Sequence, residues 1–294
     1  MSARLILTAP AKLNLYLHVT GRRPDGYHLL ESLVAFIGLA DRLTLEEADA
    51  FALELTGPAA AGLGTGPGNL ALAAARALAR RVADARARPV RIGLDKHIPI
   101  AAGLGGGSAD AAAVLAGLAR LWGAGDEVLA ETALGLGADV PVCLEARPRI
   151  MAGIGEVLGP AVTLPDAGVA LINPGVRLAT PEVFAAFDRL GDGPPARSRP
   201  GFDPAPADAS ALAARLSETG NDLTTAARAL APVVGAVLGA LGAAPGCRLA
   251  RMAGSGPTCF GLFDDGAAAE AARAAIVGAE PGWWGWAGGF TAGR

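Results

Sequence analysis

Apolar residues recur along this chain with two periods, and the period switches from one segment to the next. In residues 12–19, Leu13, Leu15 and Leu17 stand at every second position, the spacing of a strand that turns one face to a core. Residues 5–7, 29–37 and 42–47 read as further strands, so the N-terminal region is expected to start β-rich. From 69 to 83 the period lengthens, with Leu70, Ala74, Ala77 and Leu78 on one helical face. A strand over 90–95 follows, then helices over 108–122 and 126–136. The second half predicts a strand over 167–172, a short helix over 181–187, and helices over 208–217 and 223–241. Strands at 247–252 and 258–263 and a helix over 266–279 complete it, and the Trp-rich C-terminus reads as an apolar strand on the core. Residues 188–210, rich in Pro and Gly, read as a mobile loop. No repeat of fixed period occurs.

Composition narrows the function classes. At 294 residues and 52% hydrophobic content the chain can bury a large core, and two domains are expected at this length. The net charge of -3, with no clustering of Lys and Arg, excludes a phosphate-backbone partner such as nucleic acid. The first residues hold no extended apolar run, and elsewhere Gly, Pro and charge break up the apolar stretches, so a cytoplasmic protein with no membrane partner is expected. Cys143, Cys247 and Cys259 form no C-x-x-C pair and read as reduced core side chains.

Candidate chemistry gathers in four places. Residues 99–115, P-I-A-A-G-L-G-G-G-S-A-D-A-A-A-V-L, place Gly103, Leu104, Gly105, Gly106, Gly107 and Ser108 directly before an alanine-rich helix. Glycines let backbone N–H groups approach an anion, and the helix N-terminus adds its free donors and dipole, so a phosphate or nucleotide site is expected. No Lys follows the glycines, since Lys96 lies upstream, and position 108 is Ser where a Rossmann fingerprint needs its third Gly. Neither H-R-D nor D-F-G follows, which excludes a protein kinase. Second, Lys12 and Asn14 lie two apart on a predicted strand and share a face, while P-D-G-Y-H sets Tyr27 and His28 behind a turn. Third, L-G-A-D-V-P-V puts Asp139 after a helix end, with Pro141 stopping continuation. Fourth, Gly254, Ser255 and Gly256 separate two predicted strands.

Together P-x-x-x-G-L-G-G-G-S, L-G-A-D-V-P, G-S-G-P-T and the proline ahead of Lys12 resemble the GHMP small-molecule kinases, over residues 8–263. The A-K-L-N-L and P-D-G-Y-H segments resemble the branch acting on 4-diphosphocytidyl-2-C-methyl-D-erythritol in the non-mevalonate isoprenoid pathway. The resemblance implies an α+β, two-domain GHMP kinase fold: a ribosomal S5 domain 2-like N-terminal domain over 1–160 and a ferredoxin-like C-terminal domain over 161–294, with the site in the cleft between them. It implies ATP as co-substrate with Mg²⁺, this small-molecule acceptor, and a monomer or homodimer.

Residue by residue, the resemblance implies that the turn from Gly103 to Ser108 cradles the ATP phosphates, with Ser108 near Mg²⁺, and that Asn69 and Lys96 approach the adenosine. Asp139 takes the proton of the acceptor hydroxyl, while Lys12 favours the carboxylate and offsets charge on the nucleophile or γ-phosphate. Tyr27 and Phe184 sandwich the cytosine and His28 bonds its edge. Asn14 and Thr180 hold the methylerythritol phosphate end, and Gly254, Ser255 and Gly256 close against phosphates and acceptor. Ala101 and Ala102 stand where many members carry glycine. A mevalonate, homoserine or sugar kinase of the same family, or a nucleotide-binding regulator without catalysis, are the alternatives; the presence of both Lys12 and Asp139 argues against the regulator.

Overall fold

The computed structural model describes residues 4–82, 87–191 and 201–291. Strands β1 (Leu5–Arg22) and β2 (His28–Glu47) form a long antiparallel ribbon. On the other edge of β2, β4 (Val90–Asp95) pairs near one end and β5 (Arg149–Gly153) near the other. With β3 (Ala52–Thr56) parallel to β4 and β6 (Val157–Ala161) beside β5, they make a six-stranded sheet. Helices α1 (Leu70–Ala79), α2 (Gly106–Trp122), α3 (Asp126–Leu136) and α4 (Val140–Glu145) accompany it. Helix α2 is buried on nearly all sides, and its Gly117 lets it approach the sheet: a Cβ there would lie 2.7 Å from Leu7 Cδ1.

The second sheet holds β7 (Gly168–Asn173), β8 (Leu249–Met252), β9 (Cys259–Phe263) and β10 (Trp284–Gly289) in the order β10-β7-β9-β8, every neighbour antiparallel. Helices α5 (Thr180–Leu190), α6 (Ala209–Ser217), α7 (Thr224–Leu230) and α8 (Val233–Ala243) separate β7 from β8, and α9 (Gly266–Ala279) separates β9 from β10. This is the split β-α-β arrangement of a ferredoxin-like unit. The predicted C-terminal strand is β10, paired with β7. Among the described residues no helix is long and apolar enough to cross a membrane. All three cysteines are free, with Cys143 and Cys259 buried and Cys247 half-buried.

Several expected boundaries change, each for a local reason. The two pairs of short strands in the first 47 residues are two continuous strands. Pro10 is tolerated inside β1 because β1 pairs with β2 alone in the sheet, leaving an edge where a missing N–H costs nothing. The helix expected over 223–241 breaks at Pro232, which opens α8 and has no N–H to continue α7. Pro141 opens α4 in place of stopping a chain: it stands in the first turn, where a missing donor is harmless. Helix α5 runs past residue 187 to Leu190, and residues 192–200 of the expected mobile loop lie outside the described residues. Strands β3, β5 and β6 and helix α4 were not expected from the pattern.

The two sheets are joined by backbone. Leu17 N–H donates to Gly220 O at 2.9 Å, Asp222 N–H donates to Leu17 O at 2.9 Å, and Thr291 N–H donates to Phe36 O at 2.9 Å. Buried Arg251 on β8 donates to Leu15 O at 2.8 Å and Leu216 O at 2.8 Å, tying β8 to β1 and α6.

Packing around glycine gives a test. A Cβ on Gly168 would lie 1.9 Å from the carbonyl oxygen of Asp265, the N-cap of α9, so Gly168→Ala should destabilise the fold by about 1–3 kcal/mol. Gly278, inside α9 with open space around it, should gain up to about 1 kcal/mol as Gly278→Ala. Urea unfolding midpoints of the two variants should therefore move in opposite directions.

Candidate active site

The glycine turn sits where β4 hands over to α2. Gly103 and Gly105 both hold positive φ, +75° and +64°, and Gly105 is the N-cap of α2. No side chain caps this helix, so its first N–H groups are left for a ligand. Close approach explains the glycines as much as φ does. A Cβ on Gly105 would lie 2.5 Å from Lys12 Cγ, and one on Gly103 would lie 2.6 Å from the Ala253 carbonyl oxygen. The second-sheet turn therefore closes against the backbone of the glycine turn itself. Ala101, where a glycine is common in the resembled family, is held at φ 53°, a left-handed conformation costing an L-residue about 1–2 kcal/mol.

Lys12 meets Asp139 beside this turn. Lys12 Nζ lies 2.8 Å from Asp139 Oδ1, with the lysine side chain 7% and the aspartate 34% exposed. Asp139 is the N-cap residue of α4 but makes no side-chain cap bond, which leaves its carboxylate to the cleft. The lysine is held from below: Nζ donates to Asn14 Oδ1 at 3.3 Å, Asn14 Nδ2 donates to Ser32 Oγ at 2.7 Å, and Ser32 Oγ donates to Tyr16 O. Lys12 N–H donates to Leu104 O at 3.0 Å, so the same residue joins the turn through its backbone.

Beneath the helix start, Lys96 is buried between two carboxylates. Its amine bonds Asp41, and lies 2.7 Å from Asp110 Oδ2. Asp41 Oδ1 also accepts from His97 N–H at 2.6 Å and Ile98 N–H at 2.9 Å. Asp110 Oδ1 is buried and has no partner. Burial, partly offset by Lys96, pushes the Asp110 carboxyl up to about 7. The amine of Lys96 is thus committed to protein groups although its side chain lines the cavity. Asn69 likewise caps α1, accepting from Ala71 N–H at 3.0 Å and donating to Gly64 O at 3.1 Å.

A cavity of about 630 Å³ unites these parts. Every predicted site residue lines it except Tyr27, His28 and Gly256. From α5 come Thr180 and Phe184, and from the turn between β8 and β9 comes Ser255, whose hydroxyl is 2.9 Å from that of Thr180. The His28 ring lies against Phe184 with centroids 4.7 Å apart and planes 22° from parallel, and Tyr27 is 62% exposed. Phe184 therefore neighbours the imidazole and not the tyrosine ring. Gly256, at φ +80°, packs under the turn toward Met252.

Sequence reasoning missed Asp41, Asp188 and Asn221. Asp41 sits at the end of an apolar run, and only the fold brings it to Lys96, 55 positions on. Asn221 donates to Met252 O at 2.9 Å and Gly254 O at 2.7 Å, and so orients the turn at 254–256. Among the described residues no cluster of three or more His, Cys, Asp or Glu side chains could hold a metal by itself.

Residues 69–147 match the GHMP kinases N terminal domain and residues 206–280 match GHMP kinases C terminal. The 4-diphosphocytidyl-2-C-methyl-D-erythritol kinase of Cereibacter sphaeroides is 53% identical over 282 residues, 94% of this chain and 95% of that protein. The enzyme of that name from Paramagnetospirillum magneticum is 50% identical over 280 residues, 95% of each chain. A crystal structure of 4-(cytidine 5'-diphospho)-2C-methyl-D-erythritol kinase superposes with a TM-score of 0.79 at 37% identity, covering 97% of this chain and 99% of that one. The L. major mevalonate kinase, with TM-score 0.71 but 13% identity over 99% and 98% of the two chains, shares the fold alone.

The buried Asp110 makes stability depend on pH in a stated direction. Between about pH 4 and 7 the folded chain keeps a proton on Asp110 that the unfolded chain has shed, so this group lowers stability as pH rises through that window. Asp110→Asn removes the effect. Its stability relative to the native chain should rise with pH across the window, at up to about 1.4 kcal/mol per pH unit. Urea unfolding at intervals from pH 4 to 8 measures this, and a pH-independent difference would refute it.

Proposed function

The chain belongs to the GHMP kinases and, within them, to the 4-diphosphocytidyl-2-C-methyl-D-erythritol kinases, and on that premise we propose that it phosphorylates the 2-hydroxyl of 4-diphosphocytidyl-2-C-methyl-D-erythritol with ATP, giving the 2-phosphate and ADP. The observation that carries this reading is the Lys12–Asp139 pair, 2.8 Å apart, opening into the same cavity as the uncapped start of α2.

ATP binds with its phosphates on the N–H groups of the Gly103 to Ser108 turn and the first turn of α2, where the helix dipole favours the anion. The acceptor lies across the cleft with its hydroxyl between Asp139 and the γ-phosphate. Asp139 accepts the hydroxyl proton as the new O–P bond forms and the bond from the γ-phosphorus to the bridging oxygen breaks, releasing ADP. Lys12 stays beside both, compensating the negative charge that gathers as Asp139 and the phosphoryl oxygens approach one another. A tertiary alcohol is a hindered and weakly acidic nucleophile, so alignment contributes more than basicity, and general-base help amounts to about 10²–10⁴. Asn14 and Ser32 support the reaction by keeping the lysine amine from turning back into the strand.

Mg²⁺ suits this donor set. The ion keeps several waters and needs no all-protein cage, so the Ser108 hydroxyl, which lines the cavity, would hold it together with the ATP oxygens. When bound it neutralises phosphate charge. On the acceptor side, Phe184 offers a stacking face for the cytosine, with Tyr27 free to cover it from solvent, while Thr180 and Ser255 present hydroxyls toward the phosphate end. Stacking contributes about 1–3 kcal/mol for any base, so cytosine is chosen by polar contacts.

Acceptor-dependent ADP release from ATP should be measurable with purified chain and 4-diphosphocytidyl-2-C-methyl-D-erythritol. Asp139→Asn should lower kcat by about 10²–10⁴ while ATP affinity is retained. Absence of turnover by the native chain, with ATP still bound, would overturn the acceptor assignment.

A further inference from the structure

A second carboxylate, one helical turn after Phe184, lies at the acceptor end. Asp188, in the last turn of α5, places Oδ1 2.7 Å from His28 Nε2 at the start of β2. Its other oxygen, Oδ2, lies 3.2 Å from Arg22 Nη1, and Arg22 Nε donates to Gly26 O at 3.2 Å. The three residues therefore join the turn that carries Tyr27 to the helix that carries Phe184. The His28 side chain is only 10% exposed, lying flat on Phe184 and edge-on to Phe187 at 6.1 Å.

The chemistry of this contact is directional. A carboxylate accepts hydrogen bonds and cannot donate them, so a 2.7 Å contact requires the proton on His28 Nε2. In the neutral ring Nδ1 is then a bare acceptor, and among the described residues nothing donates to it. Arg22, which can only donate, holds the carboxylate in this sense from its far side. Pyrimidines differ at the edge such an acceptor reads: cytosine presents an amino donor where uracil presents a carbonyl acceptor.

Resting on the kinase reading above, we propose that Asp188 is a specificity-positioning residue: by fixing the proton on His28 Nε2 it leaves Nδ1 as an acceptor beside the Phe184 face, which selects an amino pyrimidine over a keto pyrimidine in the acceptor's nucleotide. Asp188 touches no substrate. It acts through the tautomer of His28, and Arg22 acts through Asp188.

The polarity of the chain makes Asp188→Asn a sharp test. With Arg22 still donating, the asparagine oxygen turns to Arg22 and its amino group to His28, so Nε2 becomes the acceptor and Nδ1 carries the proton. Two measurements on the full chain at pH 8 decide the matter. In the first, kcat/KM is compared for the cytidine acceptor and its uridine counterpart. The variant's cytidine-over-uridine ratio should fall on the order of tenfold or more, because the site now meets the cytosine amino group with a donor. In the second, ¹⁵N NMR of the histidine side chains should find His28 protonated at Nε2 in the native chain and at Nδ1 in the variant. Equal losses for both acceptors, or a proton on Nδ1 of the native chain, would overturn the proposal. A native chain that binds ATP but turns over neither acceptor sinks the kinase reading instead, and the NMR result still decides the tautomer.

Discussion

Strand β1 has to bury side chains in three separate cores, and strict two-residue alternation cannot do that. Ala9 belongs to the core under α1 and α2, Leu13, Leu15 and Tyr16 to the core between the sheets, and Leu17 and Val19 to the core under α5 and α7. The strand meets the demand by slipping its register on β2 between Pro10 and Lys12, between Asn14 and Tyr16, and between Val19 and Gly21. Each slip resets which side chains face inward. Lys12 and Asn14 stand between the first two, and that interval turns the two polar side chains into the cleft while Leu13 stays in the core. Lys12 is where it is because the strand changes allegiance around it.

A buried lysine brings a cost that the neighbouring groups must offset. Lys12 meets it with Asp139 and Asn14, and its stem fills the space left by Gly105. Lys96, more deeply buried, meets it with two carboxylates, one of which keeps an oxygen unpartnered. The two lysines thus divide one charged floor: Lys96 braces the start of α2 from within, and Lys12 faces the cavity beside Asp139. Nothing in residue type distinguishes them. The partners do: Lys96 holds two buried carboxylates, Lys12 a part-exposed carboxylate and an amide oxygen.

Much of the site was legible because its elements are local. The glycine turn and the start of α2 are adjacent in sequence, and Lys12, Asn14 and Asp139 sit in short motifs whose spacing carries their meaning. Helices α3 and α9 and strand β4 read correctly from period alone. The parts that did not read were short or long-range. β6, V-L-G-P-A, holds a Gly and a Pro that look like a turn until pairing with β5 organises them, and α4 is only six residues long with a proline as its second. The resemblance implies that Lys96 approaches the adenosine; its side chain lines the cavity, and its pairing with Asp41 and Asp110, far apart in sequence, forms only in the folded chain. His28 and Asp188 are 160 positions apart, and only the packing of α5 on the first hairpin brings them into contact.

The backbone seams between the sheets have a consequence for how substrates enter. Leu17 exchanges hydrogen bonds with the segment at 220–222, Arg251 reaches across to Leu15, and Asn221 fixes the turn that closes on Gly103. Swinging the two layers apart would strip paired groups from the interior, so the cleft cannot gape as two hinged lobes do. ATP and acceptor meet a vessel shaped before either arrives. Their binding free energy goes into alignment, with none diverted to shutting a door, and the freedom left for admission belongs to side chains at the rim such as Tyr27.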